Sequence, residues 1–390
     1  MPVANDKFAL IGPMRIAFYA PMKPSDDPEP SGDRRVARAF VEALSRMGHE
    51  VFLASRFRSY EGSGDAAKQA TLKCKGENTA EAWITAHQSN PPDLWFTYHL
   101  YHKSPDWLGP VIANKFQIPY IVAEASHAPK QKGGPWSIGY ERAASAIRQA
   151  DRIIVVNPKD MPCLKTLRGN DPGLHFIAPF IDTLVTPNPA AKMQHRSTLA
   201  EQYNLDSDIG WLFTAAMMRD GAKTASFRCL AKAIRERPDD RFHLLIAGDG
   251  PTGAEIKAYF ADDPRTTFLG LCNARQLAAV SAAADIFVWP AIREGFGMAL
   301  LEAQAAGLPA VAGYTPGVAA IISDGETGIL TPQGNGQAFA DAMHRLLHDP
   351  QMRETMANAA HRKALQEHSI ERAMKELAEI FEALEKSHAT

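Results

Sequence analysis

Two glutamates, Glu294 and Glu302, lie eight positions apart in the stretch WPAIREGFGMALLEAQAAGLPAV. Paired carboxyl groups suggest glycoside hydrolysis, in which the two groups stand about 5 to 9.5 Å apart. Eight residues of helix would separate these two by roughly 12 Å. That spacing better suits a ligand with two separated polyol groups, namely a nucleotide sugar, which has ribose at one end, a hexose at the other and diphosphate between.

The surrounding sequence predicts the elements that position this pair. ADIFVWP is typical of a strand, AIREGFG of a loop and MALLEAQAAG of a helix that stops at Gly307. Gly295 and Gly297 would let backbone N–H groups approach a ligand, and a helix N-terminus favours an anion. Glu302 has apolar helical neighbours, so we expect the ligand to be its partner, because burying an unpaired carboxylate is costly. The alternative is an acid that the helix dipole favours.

Two cations, Arg219 and Lys223, follow the predicted strand WLFTAAM. At a strand end they could stabilise a departing nucleoside diphosphate; the alternative is a pair of surface basic residues. No metal and no cofactor is expected. The DSD at 206–208 resembles the carboxylate motif of metal-dependent sugar transferases, but it precedes its strand and predicts a turn. His99 and His102 have metal-ligand spacing without an evident third ligand.

The remainder of the chain predicts an α/β fold with two doubly wound halves. Short, continuously apolar runs alternate with amphipathic helical segments, which indicates parallel sheets covered on both faces. The pattern stops at FIAPFIDTLVTPNPAAK, which is typical of a linker, and then restarts. The predicted domains are 1–182, 183–368 and a helical tail, 369–390, and ligands are expected in the cleft between the halves, beyond the carboxyl ends of the strands.

Composition limits the function classes. A chain of 390 residues predicts two domains, and a net charge of −2 argues against a nucleic-acid partner. Four dispersed cysteines are typical of a reduced, intracellular protein. Neither a signal peptide nor a run of about 20 apolar residues is found. We therefore expect a soluble, cytoplasmic protein whose contact with a membrane is at most peripheral.

The run EGFGMALLEAQAAGLPAV resembles the signature of family-four retaining glycosyltransferases, a group that includes glycogen-synthase-like and mannosyltransferase-like enzymes. AGDGP, FLGLCNARQLAAVSAAADIFVWP and SDGETGIL match the donor half of that family in order, and PSGDRRVARAFVEALSRMGHEVFLAS matches its N-terminal opening. The resemblance implies the GT-B fold, in which two Rossmann-like domains face a cleft and the final helix returns to the N-terminal domain.

The resemblance also implies roles for the donor-side residues. Glu294 would contact the hydroxyls of the sugar, Glu302 would bind the ribose hydroxyls, and Arg219 and Lys223 would neutralise the diphosphate. The segment departs from the family pattern after the lysine, where Thr224 replaces the usual glycine, and an alanine replaces the glycine that usually precedes. The backbone amides aiding Glu294 are those of Gly295, Phe296, Gly297 and Met298.

Further positions follow from the same resemblance. Gly248 and Gly250 belong to the donor site, although a lone Gly-x-Gly also fits a plain turn, and Leu271 lies where the family backbone contacts the base. Gly32 belongs to a small-residue loop near the reaction centre, with Asp33 as an alternative helix cap. His127 would touch the transferred sugar.

The resemblance implies a retaining, metal-independent transfer of a hexose from a UDP- or GDP-linked donor to a hydroxyl of a glycan, a lipid-linked or a small acceptor. The implied catalytic residues are Glu294, His127, Arg219 and Lys223. Two alternatives remain open. One keeps the fold but changes the reaction, as in a nucleotide-sugar epimerase or a sugar-phosphate synthase. The other is a non-catalytic bilobal sugar-binding protein.

Overall fold

The apolar runs of the N-terminal half form a six-stranded sheet with the order β2-β1-β3-β4-β5-β6, and all of its pairs are parallel. A computed structural model describes residues 12–29, 31–169, 171–182 and 187–388. The strands are β1 (Arg15–Tyr19), β2 (Glu50–Ser55), β3 (Leu94–Leu100), β4 (Tyr120–Ala125), β5 (Arg152–Val155) and β6 (Leu174–Phe176).

Five helices connect these strands: α1 (Gly32–Arg46), α2 (Ala66–His87), α3 (Gly109–Phe116), α4 (Ser137–Gln149) and α5 (Met161–Arg168). Ser31, rather than Asp33, caps α1: its hydroxyl accepts a 3.2 Å hydrogen bond from the backbone N–H of Arg34. The alternative role of Asp33 as the cap was therefore wrong, because the cap residue lies two positions earlier and the Asp33 carboxylate pairs with another side chain.

The central strands β1, β3, β4 and β5 are mostly buried because helices cover the sheet. Phe18 stacks on Phe96 at 5.6 Å, and Phe40 of α1 packs on Phe96 at the same distance. On another part of the sheet, Trp95 packs edge-on against Trp83 of α2. Continuous rather than alternating burial along a strand is the result of coverage on both faces, as the sequence predicted.

The second half forms another six-stranded parallel sheet, with the order β12-β11-β10-β7-β8-β9. Its strands are β7 (Gly210–Ala215), β8 (Phe242–Ala247), β9 (Thr266–Gly270), β10 (Ile286–Trp289), β11 (Ala310–Gly313) and β12 (Gly328–Thr331). The associated helices are α6 (Pro189–Tyr203), α7 (Ala222–Arg235), α8 (Gly253–Tyr259), α9 (Ala274–Ala283), α10 (Met298–Ala305), α11 (Pro316–Ile321), α12 (Gly336–His348) and α13 (Pro350–Glu367).

The end of the predicted linker is helical. α6 begins at Pro189, and the Asn188 side chain caps it by accepting from the N–H groups of Ala190 and Ala191. Proline at the first helical position is favourable because its missing N–H is not needed there. The sequence reading extended the linker too far because it took this proline as a helix breaker.

Three predicted segments lie wholly or partly outside the described residues. These are residues 1–11, in which no signal peptide is predicted, residues 183–186 of the linker and residues 389–390 of the tail.

The C-terminal tail forms α14 (Ile370–His388). Contacts divide the chain into two units, 183–369 and the remainder, so that α14 groups with the first unit. Phe381 packs on the His49 ring at 5.6 Å, and Arg152 donates to the carbonyl oxygen of Ala383 at 2.7 Å. The apolar stripe of the tail is buried in this unit; its members are Ile370, Met374, Leu377, Ile380, Phe381 and Leu384. No described helix combines the length and the apolar character needed to cross a membrane.

Candidate functional site

The loop after β10 presents Glu294 beside Lys223, the second residue of α7. The Lys223 Nζ lies 2.5 Å from Oε2 of Glu294, and the Trp289 indole N–H donates to the same oxygen at 2.9 Å. Lys223 Nζ also lies 5.2 Å from the centre of the Trp289 ring, within cation–π range. These residues meet because β7 and β10 are neighbours in the sheet, so the loops that follow them share one edge.

The backbone of this loop is held in an uncommon conformation. Ala291 and Arg293 both adopt positive φ values, 54° and 52°, in the left-handed region that side chains disfavour. Thr315 fixes the same loop from the opposite side, because its hydroxyl donates to the carbonyl oxygen of Glu294 at 3.1 Å. Residues in such conformations are retained where the surrounding structure holds them, and they concentrate at functional sites.

Glycines bring the loop close to α10 and α11. Gly297 precedes α10 with φ 78°, a conformation that favours glycine. A Cβ on Gly317 would lie 1.5 Å from the carbonyl oxygen of Gly295, so the first turn of α11 packs directly under the loop. A Cβ on Gly295 itself would meet open space. Sequence reasoning found Gly295 and Gly297 but missed Gly317 and Thr315. The run TPG, a cap residue followed by proline, is typical of a helix start and could have indicated both.

Phe296 lies in the loop before α10, Met298 is the first residue of the helix, and Glu302 lies in its second turn. Phe296 and Met298 are buried, and Glu302 is half-buried. The neighbouring Gln304 is buried and donates to the carbonyl oxygens of Leu308 and Thr327, at 3.2 and 3.0 Å. Gln304 therefore has a structural role, whereas the predicted role of Glu302 in ribose binding stays a prediction.

Gly248 and Gly250 position the loop that carries Arg219. A Cβ on Gly248 would lie 1.9 Å from the Ala216 carbonyl oxygen, and one on Gly250 would lie 2.4 Å from that of Met218. The Met218 N–H donates to Asp249 O at 2.9 Å, which ties the loop after β7 to the loop after β8. Only glycine allows this approach of the two loops, and the role of the pair in the donor site stays a prediction.

Thr224 contributes to the same loop. Its hydroxyl donates to the carbonyl oxygen of Arg219 at 2.9 Å. The departure from the family glycine therefore adds a hydrogen bond that fixes the backbone at Arg219. Leu271, which follows β9, is 65% exposed, and the predicted contact of its backbone with a ligand stays a prediction.

In the first unit, polar groups meet at the carboxyl ends of β3 and β4. The His99 Nδ1 lies 2.8 Å from the Asp33 carboxylate, and the Tyr98 hydroxyl donates to Glu124 at 2.6 Å. His99 and Glu124 have positive φ values, 61° and 55°. Sequence reasoning missed Glu124; its signal was a carboxylate at the end of the apolar run PYIVAEA.

The charges of Asp33, His99 and Glu124 shift one another's pKa values. Burial alone would lower the pKa of His99, but the carboxylates of Glu124 and Asp33 outweigh it and raise that pKa to about 9. Burial raises the pKa of Glu124. Burial also opposes the ionisation of Asp33, yet the hydrogen bond and the charge of His99 hold its pKa below the ordinary value. His99 is therefore an imidazolium at neutral pH, held against Asp33.

The other predicted site residues of this unit, His127, Gly32 and His102, differ in their burial and in their contacts. His127 is buried after β4; its ring lies 5.2 Å from that of Tyr140, and burial lowers its pKa. Gly32 opens α1, and a Cβ there would meet open space. His102 contacts the Trp136 ring rather than a set of metal ligands.

Asp206 and Asp208 form a turn ahead of β7. The N–H of Asp208 donates to the Asp206 carboxylate at 2.9 Å, and the Trp211 indole donates to the Asp206 carbonyl oxygen. Their carboxylates therefore have local structural partners before the strand.

Part of the second unit is similar to a known protein family. Residues 211–349 match the family described as Glycosyl transferases group 1. A D-inositol 3-phosphate glycosyltransferase of Kribbella flavida is 27% identical over 303 residues, which cover 72% of this chain and 70% of that protein. One from Corynebacterium urealyticum is 31% identical over 181 residues, 44% of this chain and 42% of that protein. The latter match thus spans less than half of its relative.

Solved structures extend the likeness to the whole fold. Sucrose-phosphate synthase of Thermosynechococcus elongatus has a TM-score of 0.72 at 19% identity and covers 96% of this chain and 100% of that one. HepE of Anabaena, solved with UDP-glucose, has a TM-score of 0.67 at 18% identity, with 96% and 100% coverage. WaaG, a glycosyltransferase of lipopolysaccharide biosynthesis, has a TM-score of 0.61 at 16% identity and covers 93% of this chain and 99% of that one.

Two parallel sheets flanked by helices, the family match of the second unit and these neighbours agree with one another, and they confirm the resemblance and the fold that the sequence indicated. The chain therefore has the GT-B fold of these neighbours, and its residues 211–349 match the family described as Glycosyl transferases group 1.

Proposed function

We propose that this protein is a retaining glycosyltransferase that moves a hexose from a nucleotide-diphosphate sugar to an acceptor hydroxyl without a metal ion. The observation that carries the proposal is the Lys223–Glu294 pair, beside the glycine-framed N-terminus of α10 and at the carboxyl edge of a parallel sheet. Open α/β sheets bind their ligands at that edge.

The donor-side chemistry follows from the charges at this edge. The side chains of Lys223 and Glu294 retain 33% and 14% exposure, so a ligand can reach the pair. The Lys223 ammonium, the Arg219 guanidinium and the α10 N-terminus would together stabilise the negative charge that develops on the departing diphosphate. These groups would do the work that a divalent ion performs in metal-dependent transferases.

Glu294 and Glu302 would recognise the two ends of the donor. Glu294, aided by the backbone from Gly295 to Met298, accepts hydrogen bonds from the hydroxyls of the hexose. Glu302, one turn further along α10, accepts hydrogen bonds from the hydroxyls of the ribose. Departure of the diphosphate breaks the bond from the anomeric carbon to the phosphate oxygen and leaves an oxocarbenium-like sugar. The acceptor hydroxyl attacks it on the same face, and its proton passes to the departing diphosphate. The resemblance of this stretch to the signature of retaining enzymes supports that stereochemistry.

The first unit, 1–182, is proposed as the acceptor domain. Asp33, His99 and Glu124 offer charged groups at the carboxyl edge of its sheet, where hydroxyl groups of an acceptor can bind. His127 is proposed to contact the transferred sugar; its lowered pKa keeps it neutral, so that one ring nitrogen can accept a proton or a hydrogen bond.

The choice of donor is proposed from named neighbours. HepE has been solved with UDP, with UDP and glucose, and with UDP-glucose, which favours a UDP-linked hexose as the first donor to test and a GDP-linked one as the second. Relatives named for inositol 3-phosphate favour small polyol acceptors over long glycans as the first acceptors to test.

The test combines a thermal-shift screen of UDP- and GDP-sugars with a turnover assay. A donor should raise the unfolding temperature, since a ligand that binds the native state stabilises it. Release of nucleoside diphosphate should depend on an acceptor, and the proton NMR spectrum of the product should show the anomeric configuration of the donor. Glu294→Gln should lose turnover, whereas the exposed Glu326→Gln should keep it.

Two outcomes would contradict the proposal, and a third would narrow it to the synthase alternative. Conversion of the nucleotide sugar without acceptor would favour an epimerase, and turnover with a sugar phosphate as the sole acceptor would favour the synthase. Donor binding without any turnover across the acceptors would favour the non-catalytic sugar-binding protein.

A further inference from the structure

A second group of chemically capable side chains lies at the opposite edge of the second sheet. His344 and His348 occupy the last turns of α12, four residues apart and therefore on one face of the helix. Asp240 lies between α7 and β8, just before the amino end of that strand. The loop that carries Glu294 follows the carboxyl end of β10, which is parallel to its neighbours, so the two sites lie at opposite ends of the sheet.

Both imidazoles point at one carboxylate. The Nδ1 of His344 lies 2.8 and 3.0 Å from the two oxygens of Asp240, and the Nε2 of His348 lies 3.1 Å from Oδ1. The two rings are 4.3 Å apart. One potential ligand atom from each of the three residues lies within 4.8 Å of the other two. Among the described parts of the chain, these three residues are the group of His, Cys, Asp or Glu side chains close enough together to bind one metal ion.

The carboxylate is held in place before any ion arrives. The Asp240 side chain is 8% exposed. The backbone oxygen of Asp240 accepts from the Arg265 guanidinium at 3.1 Å, and its N–H donates to the Arg237 carbonyl oxygen at 3.4 Å. Arg237 in turn pairs with Asp341 on α12, one turn before His344. A fixed carboxylate beside two imidazoles that are 41% and 58% exposed is accessible to a small ion from solvent.

The ligand set selects a class of ion. Mg²⁺ and Ca²⁺ prefer oxygen ligands alone, whereas two imidazole nitrogens and one carboxylate oxygen suit zinc and its neighbours in the transition series. Zinc commonly takes three such protein ligands, with bonds of about 2.0 to 2.2 Å, and leaves the fourth position to water. We propose that Asp240, His344 and His348 form a zinc-binding site that joins the end of α12 to the segment before β8.

Such a site would act on stability rather than on the transfer reaction. An ion that binds the native state stabilises it in proportion to the logarithm of its concentration over Kd, and the two joined segments are distant in sequence. Zinc would therefore raise the unfolding temperature of the donor-binding unit while leaving the groups around Glu294 in place.

The test uses the full chain, stripped with EDTA and transferred to buffer free of chelator. Calorimetric titration with ZnCl₂ should show one equivalent bound per chain, and the same zinc concentration should raise the unfolding temperature. Two variants each remove a ligand: Asp240→Asn, which keeps the volume and the hydrogen-bonding atoms of the side chain, and His348→Ala, which deletes a ring that is 58% exposed. The matched control is His195→Ala, a half-exposed histidine on α6.

Both ligand variants should bind zinc more than about tenfold more weakly, because loss of even an outer-shell partner commonly costs 10- to 100-fold. His195→Ala should bind as the parent does. Unfolding temperatures without zinc report whether each variant folds. The proposal is overturned if the parent binds no stoichiometric zinc, or if His348→Ala and Asp240→Asn bind it with unchanged affinity, which would assign the ion to other histidines or to cysteines.

Discussion

Lys223 and Glu294 are 71 positions apart in sequence and 2.5 Å apart in space, between Nζ and Oε2. Their pairing depends on the sheet order, in which β7 and β10 are direct neighbours although β8 and β9 lie between them in the chain. A parallel sheet carries the residues after each strand to one edge, so this order decides which loops cooperate.

The first prediction concerns Lys223. Lys223→Met should lower turnover about 10²- to 10³-fold, as expected for one group that stabilises developing charge, and it should leave the unfolding temperature nearly unchanged because the pair is accessible to solvent. Steady-state kinetics with a fixed acceptor measures the effect. Lys232→Met, an exposed lysine on the same helix, is the control and should match the parent. Equal turnover of both variants would contradict the role of Lys223.

The second prediction concerns Glu302. Glu302→Gln should weaken the binding of the nucleoside diphosphate about 10- to 100-fold, because a hydrogen bond to a charged group contributes roughly 1.5 to 3 kcal/mol. Calorimetric titration with UDP and GDP measures this directly. Glu326→Gln supplies the matched control. Unchanged affinity would contradict the role in ribose binding and favour the alternative, in which Glu302 is an acid stabilised by the helix dipole.

The third prediction concerns the close packing under the Glu294 loop. Gly317→Ala should destabilise the protein by about 1 to 3 kcal/mol and impair turnover, because its Cβ would lie 1.5 Å from Gly295 O and displace the loop. Gly295→Ala has open space around the added Cβ and should leave the free energy of unfolding unchanged. Urea denaturation of both variants provides the measurement. If Gly317→Ala were as stable as the parent, the prediction would be wrong, and the loop would be able to move away from the added Cβ without a cost in stability.

The fourth prediction is a pH dependence from His99. Its pKa is raised in the folded protein to about 9 from the ordinary value of 6.5, so its contribution to stability is complete below pH 6.5 and is lost as the pH rises through 9. The difference in free energy of unfolding between the parent and His99→Asn should therefore shrink from pH 6 to pH 10. A difference that is constant over this range, or an NMR titration of His99 near pH 6.5, would contradict it.

The fifth prediction is that removal of metal ions affects the stability of the protein and not its turnover. Turnover should survive EDTA, because Arg219, Lys223 and the α10 N-terminus supply the positive charge. The unfolding temperature should fall on EDTA treatment of zinc-loaded protein if the Asp240 site is occupied. Loss of turnover that Mg²⁺ or Mn²⁺ restores would overturn the metal-independent mechanism and return attention to Asp206 and Asp208.

Local sequence was sufficient for most of the elements of the donor half. Continuous apolar runs such as FHLLIA have the length of a strand buried on both faces, and they form β8 and its neighbours. The run EGFGMALLE contains its own loop, glycines and helix start, so the loop that carries Glu294 and the start of α10 were predictable. The strands β6 (LHF) and β12 (GILT) were not predicted, because each contains only two apolar residues and so lacks the continuous apolar run that marked the other strands.

Tertiary structure alone decided which side chains meet. The Lys223–Glu294 contact follows from the sheet order, the Glu124–His99–Asp33 cluster from two strands and the start of a helix that share one edge, and the approach of Asp240 to α12 from helix packing on the sheet. Each contact joins residues whose separation in sequence says nothing about their distance. The sequence by itself determined the elements, the family resemblance and the residue types; the packing of those elements determined the partners, because side-chain contacts across a sheet edge depend on strand order and not on chain order.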